Sequence, residues 1–130
     1  MKAMHNSSRK KGYIDIHCHM LPAVDDGSAS MEESLRMAKF AAMEGIAEII
    51  LTPHQKADRR CVTWEGTLRR MRLLQERVDE LRIPVRFHPG AELFYRHGVE
   101  DLLEAGKFHT LADSHYVLVE FFPGEEYAYI

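Results

Sequence analysis

Four short apolar runs, each separated from the next by a longer stretch with room for a helix, constrain this chain more than any other feature. They occupy residues 13–17, 47–52, 85–90 and 116–122. Parallel neighbours in a sheet need a crossover long enough to hold a helix, so runs of this length alternating with helical patterns predict βα units. The expected class is α/β with four parallel strands and intervening helices, either a small open sheet or part of a (β/α) barrel.

Punctuation residues agree with that reading. Ser30 and Glu33 form a Ser-x-x-Glu capping box, Met31, Leu35, Ala38 and Ala42 recur at helical spacing, and Gly45 supplies a stop. A second helix is expected over 64–81, with Leu68, Met71, Gln75, Val78 and Leu81 along one side and Gln75 interrupting its apolar face. Pro84 precedes the third run, and a short helix over 99–104 ends near Gly106. Residues 1–12 mix Lys, Ser, Asn and Gly without periodicity and read as a disordered extension, which leaves residues 13–130 as one domain.

Composition removes several function classes. A net charge of -3 offers no basic excess for a nucleic-acid backbone. Cys18 and Cys61 form no CxxC pair and the first twelve residues contain no apolar signal-peptide core, so a reducing cytoplasm is expected. No window approaches the roughly 20 apolar residues that span a bilayer, so membrane insertion is not expected.

Residues able to hold a metal cluster at the carboxyl ends of the expected strands. His17 and His19 end the first, His54 follows the second, Glu92 follows the third, and Glu120 lies inside the fourth. In parallel α/β folds these ends converge on one face. Two histidines two apart on extended chain point the same way and can share a cation. Asp25 and Asp26 lie within reach of the first strand end and offer hard oxygen ligands, although Asp-Asp-Gly-Ser before a helix is also ordinary turn chemistry. Glu120 is the one charge in an apolar run, and a buried carboxylate must be paired, protonated or bound to metal. Cys18 points away from its flanking histidines and reads as a core thiol. Asp113-Ser114-His115 precedes its strand and lies at the wrong end, and His88, His97 and His109 have no partner that spacing identifies.

Taken in order, Ile14-Asp15-Ile16-His17-Cys18-His19-Met20-Leu21-Pro22 with Asp25-Asp26-Gly27, Thr52-Pro53-His54, Gly90-Ala91-Glu92, and Asp113-Ser114-His115-Tyr116 before Val119-Glu120-Phe121 resemble the PHP (polymerase and histidinol phosphatase) tyrosine-protein phosphatases of bacterial capsular and extracellular polysaccharide synthesis. That resemblance implies the amino-terminal half of a distorted PHP-type (β/α) TIM-like barrel. It also implies up to three divalent ions, manganese foremost, with iron, magnesium or zinc as alternatives. The implied substrate is a phosphotyrosine protein, a cognate autophosphorylating tyrosine kinase. By the same resemblance His17, His19 and Glu92 hold one ion, Glu92 and Glu120 a second, and His54 with Asp25 or Asp26 a third.

Family members are longer, and their additional part carries His-Ile-Glu-Arg and Asp-x-His segments that complete the cluster. The expectation is therefore a truncated chain with little activity of its own, in which Glu125, Glu126, Tyr127 and Tyr129 begin the next loop. Two other readings stay open. One is a PHP or amidohydrolase-like phosphatase of a small ester such as histidinol phosphate; the other is a non-catalytic protein that binds metal, a partner or a second copy of itself through an unpaired edge.

Overall fold

The computed structural model describes residues 12–56 and 61–124, so the expected extension over 1–12, Gly12 apart, and the loop expected to begin at Glu125 lie outside the described residues. Helices of 13 and 17 residues, α1 (Met31–Met43) and α2 (Trp64–Glu80), separate the first strands and supply the crossovers that parallel pairing needs. Strands β1 (Tyr13–Cys18), β2 (Ile46–Leu51) and β4 (Arg86–Pro89) form one parallel sheet in the order β1-β2-β4. A second parallel sheet, in the order β3-β5-β6, joins β3 (His54–Gln55), β5 (Glu92–Phe94) and β6 (Leu118–Glu120). Helix α3 (Val99–Glu104) lies between β5 and β6.

The α/β class and parallel pairing match the sequence reading, but four expected strands become six. The second run breaks at Thr52-Pro53. Thr52 is tied to the end of β1, its N–H donating to the Cys18 carbonyl at 2.9 Å and its Oγ1 accepting from the Cys18 N–H at 3.0 Å. Pro53 has no N–H for the ladder, and its carbonyl accepts instead from the Glu92 N–H at 3.0 Å. The third run breaks at Gly90, where a Cβ would stand 2.7 Å from Ile50 Cγ2. The fourth run pairs only over Leu118–Glu120, because its partner β5 is itself three residues long. Tyr116 and Phe122, expected inside a strand, are exposed.

Helix caps behave as read, with one change. Ser30 Oγ accepts from the Glu33 N–H, while the Glu33 carboxylate reaches past Ser30 to the Ala29 N–H at 2.9 Å. The buried stripe of α2 runs through Thr67, Leu74 and Val78, whereas Leu81 is 54% exposed, so the helix is rotated relative to the expected face. Ala38, Leu74 and Val78 pack on Ile49, Leu51, Val85 and Phe87 to make the core.

Gln75, which interrupts the apolar pattern, has a structural task. Its Nε2 donates to the Val85 carbonyl at 3.0 Å, and its Oε1 accepts from the Phe87 N–H at 2.9 Å. The amide thus completes the edge of β4 that faces away from β2. Gln75→Leu leaves both backbone groups unsatisfied, and its expected cost is about 1–3 kcal/mol, read as a lower urea midpoint at unchanged slope. Among the described residues no helix is long and apolar enough to cross a membrane.

Candidate metal centre

The end of β1 sets the first two candidate ligands. Strand alternation turns His17 and His19 to one side, where their Nε2 atoms lie 3.1 Å apart. Cys18 turns to the other side against the core. Burial, helped by the Asp15 charge, pushes the Cys18 thiol up to about 11, so it is protonated at neutral pH and a poor nucleophile.

The break after β2 drops His54 into the second sheet, directly across from Glu92, and Glu120 lies across from Phe94 on the far side of β5. Paired residues share a face, so these side chains meet the histidines of β1. Glu92 Oε2 stands 2.8 Å from His19 Nε2, 3.1 Å from His17 Nε2 and 3.4 Å from His54 Nδ1. Glu120 Oε2 stands 3.3 Å from the same His54 Nδ1. The His19 and His54 rings stack with centroids 4.6 Å apart.

The loop after β1 brings both aspartates in, with different environments. Asp25 Oδ1 accepts from the Gly27 N–H at 3.0 Å, and Asp25 Oδ2 lies 2.9 Å from His19 Nδ1. Asp26 is exposed, and its Oδ1 lies 3.1 Å from His54 Nε2, a contact that holds the Asp26 carboxyl below its ordinary value. All seven residues picked out in the sequence therefore converge. They form three overlapping groups, His17-His19-Glu92, His54-Glu92-Glu120 and His19-Asp25-Asp26-His54, each with ligand atoms within 4.8 Å of one another.

The contacts around Glu92 are close in distance without hydrogen-bond alignment. His54 Nδ1, Glu92 Oε2 and Glu120 Oε2 are buried and have no hydrogen-bond partner among the described residues. Two carboxylate oxygens and a ring nitrogen buried this close together are costly unless a proton or a cation sits among them. A set of imidazole nitrogens and carboxylate oxygens suits a borderline or hard divalent ion.

Burial opposes the charged form of His19, but the Asp25 hydrogen bond and the charges of Asp25, Glu92 and Asp26 outweigh it and raise the pKa. In the metal-free protein that interaction contributes stability below the ordinary imidazole range, and the contribution is lost as the pH rises through the raised value. A cation bound through this ring must displace its proton, so cation binding strengthens as the pH rises through the same window.

The set-aside residues stay outside the cluster. Asp113 belongs to a 3-10 turn before β6, His88 meets Glu48 at 3.3 Å, and His109 stacks on Trp64 with centroids 3.8 Å apart. Two roles had no signal in the sequence: Thr52 as the tie between β1 and the second run, and Asp25 as the partner of His19.

Residues 13–130 match the family model described as capsular polysaccharide synthesis, CpsB/CapC. The chain belongs to the CpsB/CapC family. Its relatives include the tyrosine-protein phosphatase YwqE of Bacillus subtilis, 37% identical over 113 residues, covering 83% of this chain and 42% of YwqE. The tyrosine-protein phosphatase CpsB of Streptococcus pneumoniae is 32% identical over 108 residues, covering 83% of this chain and 44% of that protein. A chain from the crystal structures of YwqE and Streptococcus pneumoniae CpsB, described as unique metal-dependent tyrosine phosphatases, superposes with a TM-score of 0.82 at 35% identity. That match covers 89% of this chain and 48% of the solved one. This member thus spans less than half the length of these relatives.

Proposed function

We propose that this CpsB/CapC-family chain supplies the amino-terminal metal-holding part of a metal-dependent tyrosine-protein phosphatase, residues 13–130 being part of a PHP-type (β/α) barrel. The observation that carries the metal is the trio of buried atoms without a hydrogen-bond partner among the described residues, His54 Nδ1, Glu92 Oε2 and Glu120 Oε2. The names of the relatives support phosphotyrosine as the group hydrolysed.

His17, His19 and Glu92 form one donor set and His54, Glu92 and Glu120 another, with Glu92 shared between them. Asp25 is already engaged by a backbone N–H and by His19, so it acts as a positioning residue that orients the ring with Nε2 turned toward His17 and Glu92. Asp26 stands open beside His54 and is the aspartate available to a third set. Divalent ions, manganese foremost and up to three, neutralise phosphoryl charge and make water a better nucleophile near neutral pH when bound at such a site. The remaining contribution of the chain is geometric: β1, β3, β5 and β6 hold the donors on one face.

The substrate that fits this reading is a cognate bacterial tyrosine kinase in the cytoplasm, linked to capsule synthesis as in the family description. The test is metal-dependent phosphate release from a phosphotyrosine peptide after chelation and add-back of manganese, magnesium, zinc or iron. Histidinol phosphate serves as the competing substrate. The chain is assayed alone and joined to the carboxyl half of YwqE. Release that needs metal and favours the peptide is expected; no metal-dependent release from either form, or a preference for histidinol phosphate, overturns it. Cys18→Ser is expected to leave metal content and metal-dependent hydrolysis unchanged within experimental scatter, because a protonated, partly buried thiol forms no cysteinyl phosphate.

A self-associating form is favoured by a separate observation. Ile14 and Ile16 on the edge strand β1, and Tyr116 and Phe122 beside β6, are exposed. Light scattering of the eluted peak distinguishes monomer from dimer.

A further inference from the structure

A cleft of about 240 Å³ is lined by Gln55, Lys56, Thr63, Trp64, Lys107 and His109 among others. One lining residue, Lys56, connects it to the metal centre. His54 faces Glu92, and Phe94 faces Glu120 on the same side of β5, so Phe94 lies on the face that carries the ligands. The Lys56 ammonium sits 5.2 Å from the centroid of the Phe94 ring. A π face leaves the donors of the ammonium available, and it makes no salt bridge with Glu120 or any other carboxylate of the described residues.

The cleft differs from the metal centre in charge. The centre gathers Asp25, Asp26, Glu92 and Glu120, whereas among the described residues the cleft is lined by Lys56 and Lys107 and by no carboxylate. Its aromatic wall is fixed: Trp64 and His109 stack within 13° of parallel, and the His109 N–H donates to Gln55 Oε1 at 3.2 Å. Burial lowers the His109 pKa against the opposing pull of Glu65, so this ring is a neutral platform and the lysines carry the positive charge.

We propose that this cleft binds an acidic side chain of the peptide segment flanking the phosphorylated tyrosine, with Lys56 at the junction and Lys107 and the Trp64-His109 stack as the subsite. The proposal rests on the metal centre being a phosphotyrosine site. A carboxylate one or two residues from the phosphotyrosine meets Lys107 while its methylene stem lies along the stacked rings. The subsite therefore confers a preference for acidic sequence context and does not take part in hydrolysis.

Trp64 is the one tryptophan of the chain, so its fluorescence reports occupancy. Metal-loaded protein is titrated with a phosphotyrosine peptide flanked by glutamates, with the same peptide carrying glutamines, and with phenylphosphonate, which has no flanking residues. The acidic peptide is expected to shift Trp64 emission and to bind about fivefold tighter than the neutral one, a margin that shrinks in high salt. Lys107→Met is expected to abolish the preference, Lys107→Arg to keep it, and Lys56→Met to reduce it. Equal binding of the two peptides by the parent protein, or an undiminished preference in Lys107→Met, overturns the cleft while leaving the metal reading in place. Failure of all three probes to bind overturns the phosphotyrosine reading and the proposal with it.

Discussion

Glu92→Ala is expected to lose more metal than any other single change, lowering affinity by at least about 100-fold, since even partners outside the coordination sphere cost 10–100-fold. The reason is position. Glu92 Oε2 is the atom on which His17, His19 and His54 converge, and it is one of the three buried atoms without a hydrogen-bond partner among the described residues. Removing it dissolves two of the three donor sets at once. His17→Ala and His19→Ala are expected to lower metal content strongly as well, while His109→Ala and His115→Ala leave it unchanged. Elemental analysis after dialysis reads all five. Thermal unfolding gives a second readout. Chelation should destabilise the parent protein by about 2.7 kcal/mol if the ion was present at about 100 times its dissociation constant, and should leave Glu92→Ala untouched. Unchanged stoichiometry in Glu92→Ala would remove the shared-ligand reading altogether.

The convergence behind that prediction was legible in the sequence because it depends on local rules. A His-x-His at a strand end, and ligand-type residues after successive apolar runs, need only strand alternation and the direction of a parallel sheet to be placed on one face. The way the ligands arrive was less legible. His54, Glu92 and Glu120 meet because the second and third runs bend at Pro53 and Gly90 into a second short sheet. Where a strand bends is decided by what its partners allow, and those partners come from elsewhere in the chain.

The same limit explains Gln75 and the fourth run. Periodicity marks Gln75 as a flaw in an apolar face, since nothing near it in sequence reveals the open edge of β4 that its amide fills. An apolar stretch over 116–122 looks like a long buried strand, but a ladder is only as long as its partner, and β5 offers three residues. Asp25 and Asp26 are equivalent by composition. Only the folded loop separates the one held by Gly27 and His19 from the one standing open beside His54.

That loop is the subject of the other large effect. Gly27→Ala is expected to cost about 3 kcal/mol in stability and to weaken metal binding 10–100-fold, although Gly27 touches no ion. A Cβ built on Gly27 lies 2.1 Å from the His19 carbonyl oxygen and 2.5 Å from His19 Cβ, so neither neighbour has the freedom of a flexible side-chain tip. The loop is folded back onto the end of β1 at this point, with the Ser28 N–H donating to that same His19 carbonyl at 3.0 Å and the Ala23 N–H to the Ser28 carbonyl at 2.9 Å. To admit one methyl group, either the loop lifts or His19 moves. Lifting the loop takes Asp25 from His19 and Asp26 from His54; moving His19 displaces it from Glu92. Both routes reach the metal centre, which is why a glycine that looks like turn chemistry carries an effect on affinity. Asp25→Asn separates the two contributions, since it removes the charge beside His19 without a clash and should weaken metal binding while leaving most of the stability. Urea unfolding of the metal-free proteins and elemental analysis of the dialysed ones supply the comparison. A Gly27→Ala protein with parental stability and parental metal content would mean that the loop is not seated on His19 in solution.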